Sequence, residues 1–313
     1  MAILSRPIGG DGRTATRHKA LRSAREPHSL HAVESSLYEF RSFIFRIRDT
    51  AEPGWGEAEI VPWLEQHSSM VAELHEFGHP EARSWQFGPA DADVLWDLYA
   101  MSRLVDILLG PHQPVNDGPA LLAWTKVVPW WTGPSAARSA WDTFRTGLRA
   151  TTIAEDRFHP FFHEIVAVDP SEDPDEPITL VAETWPGALI GSLLLARSGV
   201  VVRGGSNVVD PEVASRSCLY WAWWRRNRVV GDLSHGWGHN SQWRTDFRRD
   251  YVVDDRFCYN VDAPLVDDNP ADHDEDLTAA DRLDLLRFRH SVRRDLGHDR
   301  WPYYDSHVEN RRA

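Results

Sequence analysis

The chain is poor in cysteine, lysine and methionine, and no part of it is a long apolar run. Its two cysteines, Cys218 and Cys258, are far apart and form no CxxC pair, which excludes a disulfide-rich secreted scaffold and favours reduced thiols. Apolar stretches such as 193–196 and 200–202 are too short to span a bilayer, and the N-terminus lacks the apolar core of a signal peptide. We therefore predict a soluble, cytoplasmic protein without a membrane partner.

Acidic residues outnumber basic ones beyond the first 31 residues. Residues 1–31 carry a net charge of +4, whereas the whole 313-residue chain has a formal charge of −13, which leaves −17 on the remainder. A body this acidic repels phosphate backbones, so a nucleic-acid partner is not expected. Lys19 and Lys126 are the only lysines, and we take this preference for arginine as a sign of a GC-rich, bacterial genome.

The short motifs of nucleotide and hydrolase chemistry are absent as well. The sequence contains no P-loop or dinucleotide fingerprint, and Ser192 lies in Gly-Ser-Leu rather than in a GxSxG context. Tryptophan, in contrast, is abundant, with 15 residues against 7 tyrosines. Indole rings fill cores and also line concave ligand sites, so a tryptophan-rich composition is compatible with a small-molecule site.

The pattern of segments predicts an α+β protein with a helix-rich N-terminal half, a mainly antiparallel sheet in residues 160–262 and a C-terminal helix. We predict a basic flexible tail or arm over residues 1–31 and a single domain over 32–313, helical over 60–150 and sheet-containing over 158–297. Short β-branched runs separated by proline, glycine and aspartate in the second half favour this order over repeating βαβ units.

Three local predictions can be tested directly. Residues 37–48 alternate in polarity like a strand, with an amphipathic helix as a close competitor. The run 247–261 has the pattern of a β-hairpin. Thr278 and Asp281 form a capping-box-like start to a helix that we expect to reach Leu296.

The stretch richest in chemistry is 232–251, which combines glycine, tryptophan, histidine and alternating charges. His235 and His239 are separated by Gly236-Trp237-Gly238, and the two glycines allow the backbone to fold sharply. Both imidazoles could then converge on a metal ion or a substrate oxygen. Polar residues follow at every second position, namely Asn240, Gln242, Arg244, Asp246, Arg248 and Asp250.

This segment gives the predicted site. The predicted catalytic residues are His235, His239 and Asp246, the histidines as general acid and base or as ligands of a divalent metal ion and the aspartate as their orienting partner. The predicted substrate-binding residues are Asn240, Gln242, Arg244, Arg248, Trp237 and Trp185. Arginine forks recognise carboxylate or phosphate, which would suit an anionic substrate. The alternative is that the Arg/Asp alternation is an ion-pair ladder that belongs to the scaffold.

A second histidine pair matches a known metal motif. His75-Glu76-Phe77-Gly78-His79 has the HExxH pattern of zinc metalloproteases. Pro80 follows it directly, however, whereas the metal-binding helix normally continues, and Trp85 stands where a third histidine ligand would be needed. We therefore predict that this motif is not a zinc-protease site.

A third pair, His159 and His163, flanks Pro160 ahead of a β-like run. In an extended chain these two histidines would lie about 13 Å apart, too far to share a metal ion. We expect each of them to be a core or edge histidine with satisfied hydrogen bonds, and the alternative is that one of them lines a site together with Glu164 or Trp185.

Taken together, the patterns predict a bacterial enzyme that acts on a small polar substrate, with an anionic group as one option, by histidine acid/base or metal-assisted chemistry. The alternative is a non-catalytic acidic protein-interaction module, either an adaptor or a neutralising protein, whose Trp-rich and Arg/Asp surfaces form the contact. The reaction and the oligomeric state are not indicated by any pattern in the sequence.

Overall fold

The computed structural model describes residues 36–50, 55–79, 92–113, 135–211, 249–262, 278–288 and 305–311, all within one unit of contacts, Ser35–Ala313. The helices are α1 (Glu39–Thr50), α2 (Trp55–Gln66), α3 (Ser68–Gly78), α4 (Ala92–Leu109), α5 (Ser135–Gly147) and α6 (Ala279–Phe288). The strands are β1 (Thr151–Thr152), β2 (His163–Pro170), β3 (Thr179–Trp185), β4 (Ala188–Ile190), β5 (Leu193–Ala196), β6 (Ser198–Gly204), β7 (Tyr251–Val253), β8 (Arg256–Tyr259) and β9 (His307–Asn310).

The order of these elements confirms the predicted α+β class, because α1–α5 precede the strands and α6 lies near the C-terminus, followed by β9. The described strands form a six-stranded sheet, ordered β1-β4-β5-β7-β8-β9, and a three-stranded sheet, ordered β2-β6-β3. Their pairings are antiparallel with one exception, the parallel pair β2–β6. None of the described helices is long and apolar enough to cross a membrane.

The N-terminal segment with ambiguous patterning is a helix, α1, so its helical alternative is the correct one. Phe40, Phe43 and Ile44 are buried, and they lie on one helix face because their spacing is i, i+3 and i+4. The Phe43 ring stacks on Trp63 of α2 with 3.9 Å between centroids. The burial of these side chains against α2 favours a helix more strongly than the alternating polarity further along the segment favours a strand.

The six-stranded sheet separates two apolar clusters. On one face, Leu193 of β5 and Cys258 of β8 join the core formed with α1–α5. On the other face, the neighbouring residues Leu194 and Phe257 pack with Leu286 of α6. This division follows the two-residue period of a strand, and it shows why these strands are apolar on both faces.

The end of α3 docks on the β4–β5 hairpin at Gly78. The Gly78 carbonyl accepts the Ser192 N–H at 2.7 Å, and the Phe77 carbonyl accepts the Tyr251 hydroxyl at 2.8 Å. A Cβ atom on Gly78 would stand 2.2 Å from the Ile190 carbonyl oxygen, so the approach of the helix to the hairpin requires glycine.

The two remaining local predictions are confirmed. Strands β7 and β8 form the predicted hairpin, with Tyr251 opposite Cys258. Helix α6 begins after Thr278, whose hydroxyl oxygen accepts the Asp281 N–H at 3.1 Å while the Thr278 N–H donates to the Asp281 carboxylate at 3.2 Å. This reciprocal pair is a capping box, with aspartate in the place of glutamate. The predicted extension to residue 296 lies outside the described residues.

Candidate functional site

The sequence-predicted site lies largely outside the described residues. This holds for His235, Trp237, His239, Asn240, Gln242, Arg244, Asp246 and Arg248, whose roles in catalysis, substrate binding or metal ligation remain predictions. Trp185, the other predicted substrate-binding residue, is fully buried at the end of β3. Its indole N–H donates to the Arg197 carbonyl at 2.9 Å, and its ring covers Gly199 on the neighbouring strand.

The last residues of the predicted segment are part of a buried ion-pair network. Arg249 binds the Asp262 carboxylate through Nε at 2.9 Å and through Nη2 at 2.5 Å. Asp250 accepts Arg197 Nη2 at 2.8 Å and the main-chain N–H of Asn260 at 2.8 Å. At this end of the segment, arginine and aspartate therefore hold the scaffold together.

The HExxH motif spans the end of a helix. Helix α3 ends at Gly78, so His75 lies within it and His79 follows it. His75 Nε2 lies 2.8 Å from the Leu148 carbonyl oxygen, and the two imidazole rings are 6.4 Å apart. Within the described part of the chain, no three His, Cys, Asp or Glu side chains are arranged to hold a metal ion.

The prediction of an extended chain between His159 and His163 is wrong. The His159 carbonyl accepts the N–H groups of Phe162 and His163, each at 3.0 Å, so residues 160–162 form a tight turn. Pro160 begins this turn because its fixed φ is the one that a turn requires at that position. The main-chain N–H of His159 consequently lies 3.0 Å from His163 Nδ1.

His163 is at the base of a cleft of about 400 Å³ between the loop 153–156 and the three-stranded sheet. Apolar walls are formed by Ile153, Leu180 and Val200, and the polar lining groups are Glu155, Asp156, His163 and Glu183. A cleft of this volume holds a small molecule. His163, one histidine of the third pair, therefore lines a cavity, which is one of the two roles that the sequence allowed.

Strand register brings the polar groups of the cleft together. Ser198 on the central strand β6 is the partner of His163 on β2, and Val200, two residues further on, is the partner of Glu183 on β3. Residues 198 and 200 share one face of the sheet because side chains alternate. The Ser198 hydroxyl hydrogen-bonds the Glu183 carboxyl and accepts the Gly187 N–H at 2.8 Å.

Glu183 is the acidic group of the cleft whose proton affinity is altered. Burial raises the pKa of its carboxyl, although the Ser198 hydroxyl and the nearby positive charge of Arg145 both favour the ionised form. A carboxyl group with a raised pKa can exchange a proton closer to neutral pH than an ordinary glutamate can.

His163 is held neutral at the same place. Burial lowers the pKa of its imidazole to about 4, against favourable hydrogen bonds from the main chain of His159 and Glu155. His163 Nδ1 lies 3.1 Å from the His159 carbonyl oxygen and 3.0 Å from the His159 main-chain N–H, and the imidazole also hydrogen-bonds the Glu155 main chain. These main-chain contacts hold the ring in place, so His163 shapes the cleft and Glu183 is its acidic group with a raised pKa.

A larger cleft of about 790 Å³ lies between α2, α3 and α5. Its floor is the close contact of Leu64 with Gly147, and its carboxylate Asp142 is bound by Arg145 at 2.7 Å. The polar groups Glu65, Thr146 and Arg149 on its walls are exposed. The smaller cleft is the better candidate, because it is lined by the buried His163 and by Glu183, whose pKa is raised.

Sequence reasoning placed Glu183 within the predicted sheet of residues 160–262 but missed it as a functional residue. One signal was present, because Glu183 is the only charged residue in the run Ile178–Thr184. Glutamate is rarely buried without a specific partner, so a lone glutamate in an apolar strand is a candidate for a site. The partner, Ser198, is 15 positions away and is brought near by the sheet register.

Comparison with known proteins supplies no template for this site. No family model, curated protein or solved structure matches the chain. The function therefore has to be argued from the geometry and the chemistry of the cleft.

Proposed function

We propose that this chain is an enzyme that acts on a small polar substrate by general acid/base catalysis, with the Glu183 carboxyl as the group that donates or accepts the proton. The observation that carries this proposal is a glutamate with a raised pKa in a cleft of small-molecule size. General acids and bases work best when their pKa lies near the operating pH. Enzyme sites commonly reach that condition by burying a carboxyl group.

Ser198 supports the same proposal because it fixes the orientation of the carboxyl group. It is fully buried, and its oxygen accepts the Gly187 N–H, so its own proton is available to Glu183. A carboxyl group held by a buried donor presents one oxygen in a defined direction. On the arginine bias and the lack of apolar runs, we also propose a bacterial, cytoplasmic setting.

A non-catalytic interaction module is the second candidate, and the turn after β2 is the observation that favours it. Glu172, Asp173 and Asp175 are exposed there. Asp173 accepts the Asp175 N–H at 3.0 Å, and Asp175 accepts the Asn207 side chain at 2.8 Å. A fixed acidic surface of this kind would suit a basic protein partner.

Glu183→Gln separates the two candidates, with Glu172→Gln as the matched control for the loss of one negative charge. Both variants and the unaltered chain are incubated with a panel of small polar metabolites, and substrate loss is followed by mass spectrometry. We expect Glu183→Gln to lower turnover by about 10²–10⁴-fold, the usual contribution of general acid/base catalysis, and Glu172→Gln to leave it unchanged.

The pH dependence of turnover provides an independent measurement. The unaltered chain should show an ionisation above the ordinary range of glutamate, and that ionisation should be missing from the residual rate of Glu183→Gln. Undiminished turnover by Glu183→Gln would refute the proposal. Binding of a basic protein that is weakened by Asp175→Asn, with no turnover of any metabolite, would instead support the interaction module.

A further inference from the structure

We infer that the cleft selects a cationic small molecule, an alkyl amine or alkyl guanidine whose charged group meets Asp156 and Glu183. The methylene stem of this ligand packs on the apolar walls of the cleft. The inference rests on the proposed function, since it names the substrate class of the same site. It differs from the anionic option that the arginines of the predicted segment suggest.

The formal charges of the cleft are the first argument. The ionisable groups that line it are Glu155, Asp156, Glu183 and His163, and three of these are acids. His163 adds no positive charge above about pH 4, where it is neutral. The cleft therefore presents only negative or neutral groups to a ligand near neutral pH, which favours a cation.

The arginines that act on the lining groups are the second argument, because Arg311, Arg145 and Arg197 are already engaged, the last with Asp250 at 2.8 Å. Arg311 binds the Glu155 carboxylate at 2.8 Å, so this acid is largely neutralised. Arg145 hydrogen-bonds Asp142 at 2.7 Å and also binds the Thr152 hydroxyl. An anionic ligand would have to displace one of these arginines from its partner, whereas a cation meets Asp156 and Glu183 directly.

The apolar walls are the third argument, because they set the form of the ligand. The apolar surface that a ligand could cover is mainly that of Val181, which is 41% exposed, because Ile153 and Val200 are almost fully buried. A short alkyl chain would cover this surface, and the burial of its methylene groups favours binding. A compact inorganic cation would leave this surface in water, so we favour an organic cation.

Binding of a cation should also change the protonation of Glu183. Burial favours the neutral carboxyl, whereas a positive group beside it favours the ionised form. A proton should therefore be released when the cation binds near the pKa of Glu183. Arg145 acts in the same direction but is permanently present, so the released proton reports the ligand alone.

The test uses three probes of equal length and different charge: pentylamine, pentanol and pentanoate. Binding to the unaltered chain is measured by calorimetry and by NMR shifts at a series of pH values, with two buffers of different enthalpies of ionisation at each. We expect millimolar binding of pentylamine, which is in the range for so small a ligand, and a buffer-dependent heat at the pH where Glu183 titrates. Pentanol should bind more weakly, and pentanoate should not bind.

Variants localise the effect. Glu183→Gln should weaken pentylamine binding by about tenfold and abolish proton release, and Asp156→Asn by about threefold because its group is exposed. Glu172→Gln, with the same change of charge outside the cleft, should change neither. Asp156→Asn keeps the test informative even if the substitution at Glu183 disturbs folding.

Binding of pentanoate as tight as that of pentylamine, or pentylamine binding that neither cleft variant weakens, would overturn the inference. A failure of the proposed function looks different. In that case Glu183→Gln would retain turnover while the preference for the amine persisted. Turnover of a neutral substrate that depends on Glu183, without amine binding, would overturn only the cationic selectivity.

Discussion

Ser198 hydrogen-bonds the carboxyl of Glu183 across the β6–β3 pair. The same serine is the register partner of His163 on the parallel strand β2. One buried residue on the central strand is therefore paired with β2 at the neutral imidazole and contacts the carboxyl group of β3. A shift of the β6 register by one residue would turn Ser198 to the opposite face and take the cleft apart.

The two histidines of the turn, the partly buried His159 and the buried His163, predict a loss of stability in acid. The pKa of His159 and that of His163 are each lowered to about 4, in both cases chiefly by burial. Unfolded histidine has a pKa near 6.5, so the unfolded state takes up protons that the folded state does not. The free energy of unfolding that depends on these neutral histidines is therefore fully present above about pH 6.5 and is lost as the pH falls towards 4. The upper bound of this loss is on the order of 3 kcal/mol for each histidine.

Urea unfolding at pH 7 and at pH 4.5 measures this effect. The unaltered chain should lose stability between the two values, and His163→Gln should lose less because one of the two groups no longer titrates. His79→Gln, at an exposed position, is the control for the loss of one histidine side chain. An equal pH dependence for His163→Gln would show that His163 already titrates normally in the folded protein.

The buried Arg249–Asp262 ion pair predicts a larger loss of stability on substitution than an ion pair at the surface does. Both side chains are buried and joined by several hydrogen bonds. Asp262→Ala should cost about 3–5 kcal/mol because it leaves a buried arginine without its carboxylate. Asp169→Ala, which removes one of the two carboxylate partners of the partly exposed Arg203, should cost at most about 1 kcal/mol. Chemical denaturation of both variants tests the prediction, and similar losses would contradict it.

Gly78 predicts a clash at the contact of α3 with the β4–β5 hairpin. A methyl group there would stand 2.2 Å from the Ile190 carbonyl oxygen, so helix and hairpin would have to separate. Alanine normally stabilises a helix by about 1 kcal/mol relative to glycine. We expect the clash at residue 78 to outweigh this gain, so that Gly78→Ala destabilises the protein. Gly110→Ala is the control, because a Cβ atom there would meet nothing within 4 Å. Thermal unfolding should show a lower midpoint for Gly78→Ala alone.

These contacts show which parts of the molecule could be predicted from the sequence. The β7–β8 hairpin and the Thr278 cap depend on residues a few positions apart, so local patterns were sufficient. The turn at Pro160 was missed because two readings of proline, turn and extended chain, are equally compatible with the local sequence.

The candidate site could not be predicted in the same way. Glu183 becomes distinctive only when the sheet places it beside Ser198 and the loop 153–156 covers it. Pairing of a parallel strand with a distant partner has no local signal in the sequence. The charge alternation before Tyr251 was visible, but its end, Asp250, binds Arg197, which is 53 positions away.

The segment that the sequence singles out gives the last prediction. His235 and His239 are separated by a Gly-Trp-Gly spacer, and both imidazoles titrate near neutral pH when unperturbed. If they border a functional pocket, His239→Ala should abolish activity or ligand binding and change the thermal midpoint little, because a solvent-reaching imidazole contributes little packing. His235→Ala should behave in the same way if both residues converge on one substrate or metal ion.

Total metal analysis of the untagged protein and of both variants distinguishes acid/base catalysis from metal ligation, since only ligation predicts a stoichiometric divalent metal that the substitutions remove. Variants that lose several kcal/mol of stability yet keep full activity would place these histidines in the scaffold. Catalysis would then depend on the cleft of Glu183 alone.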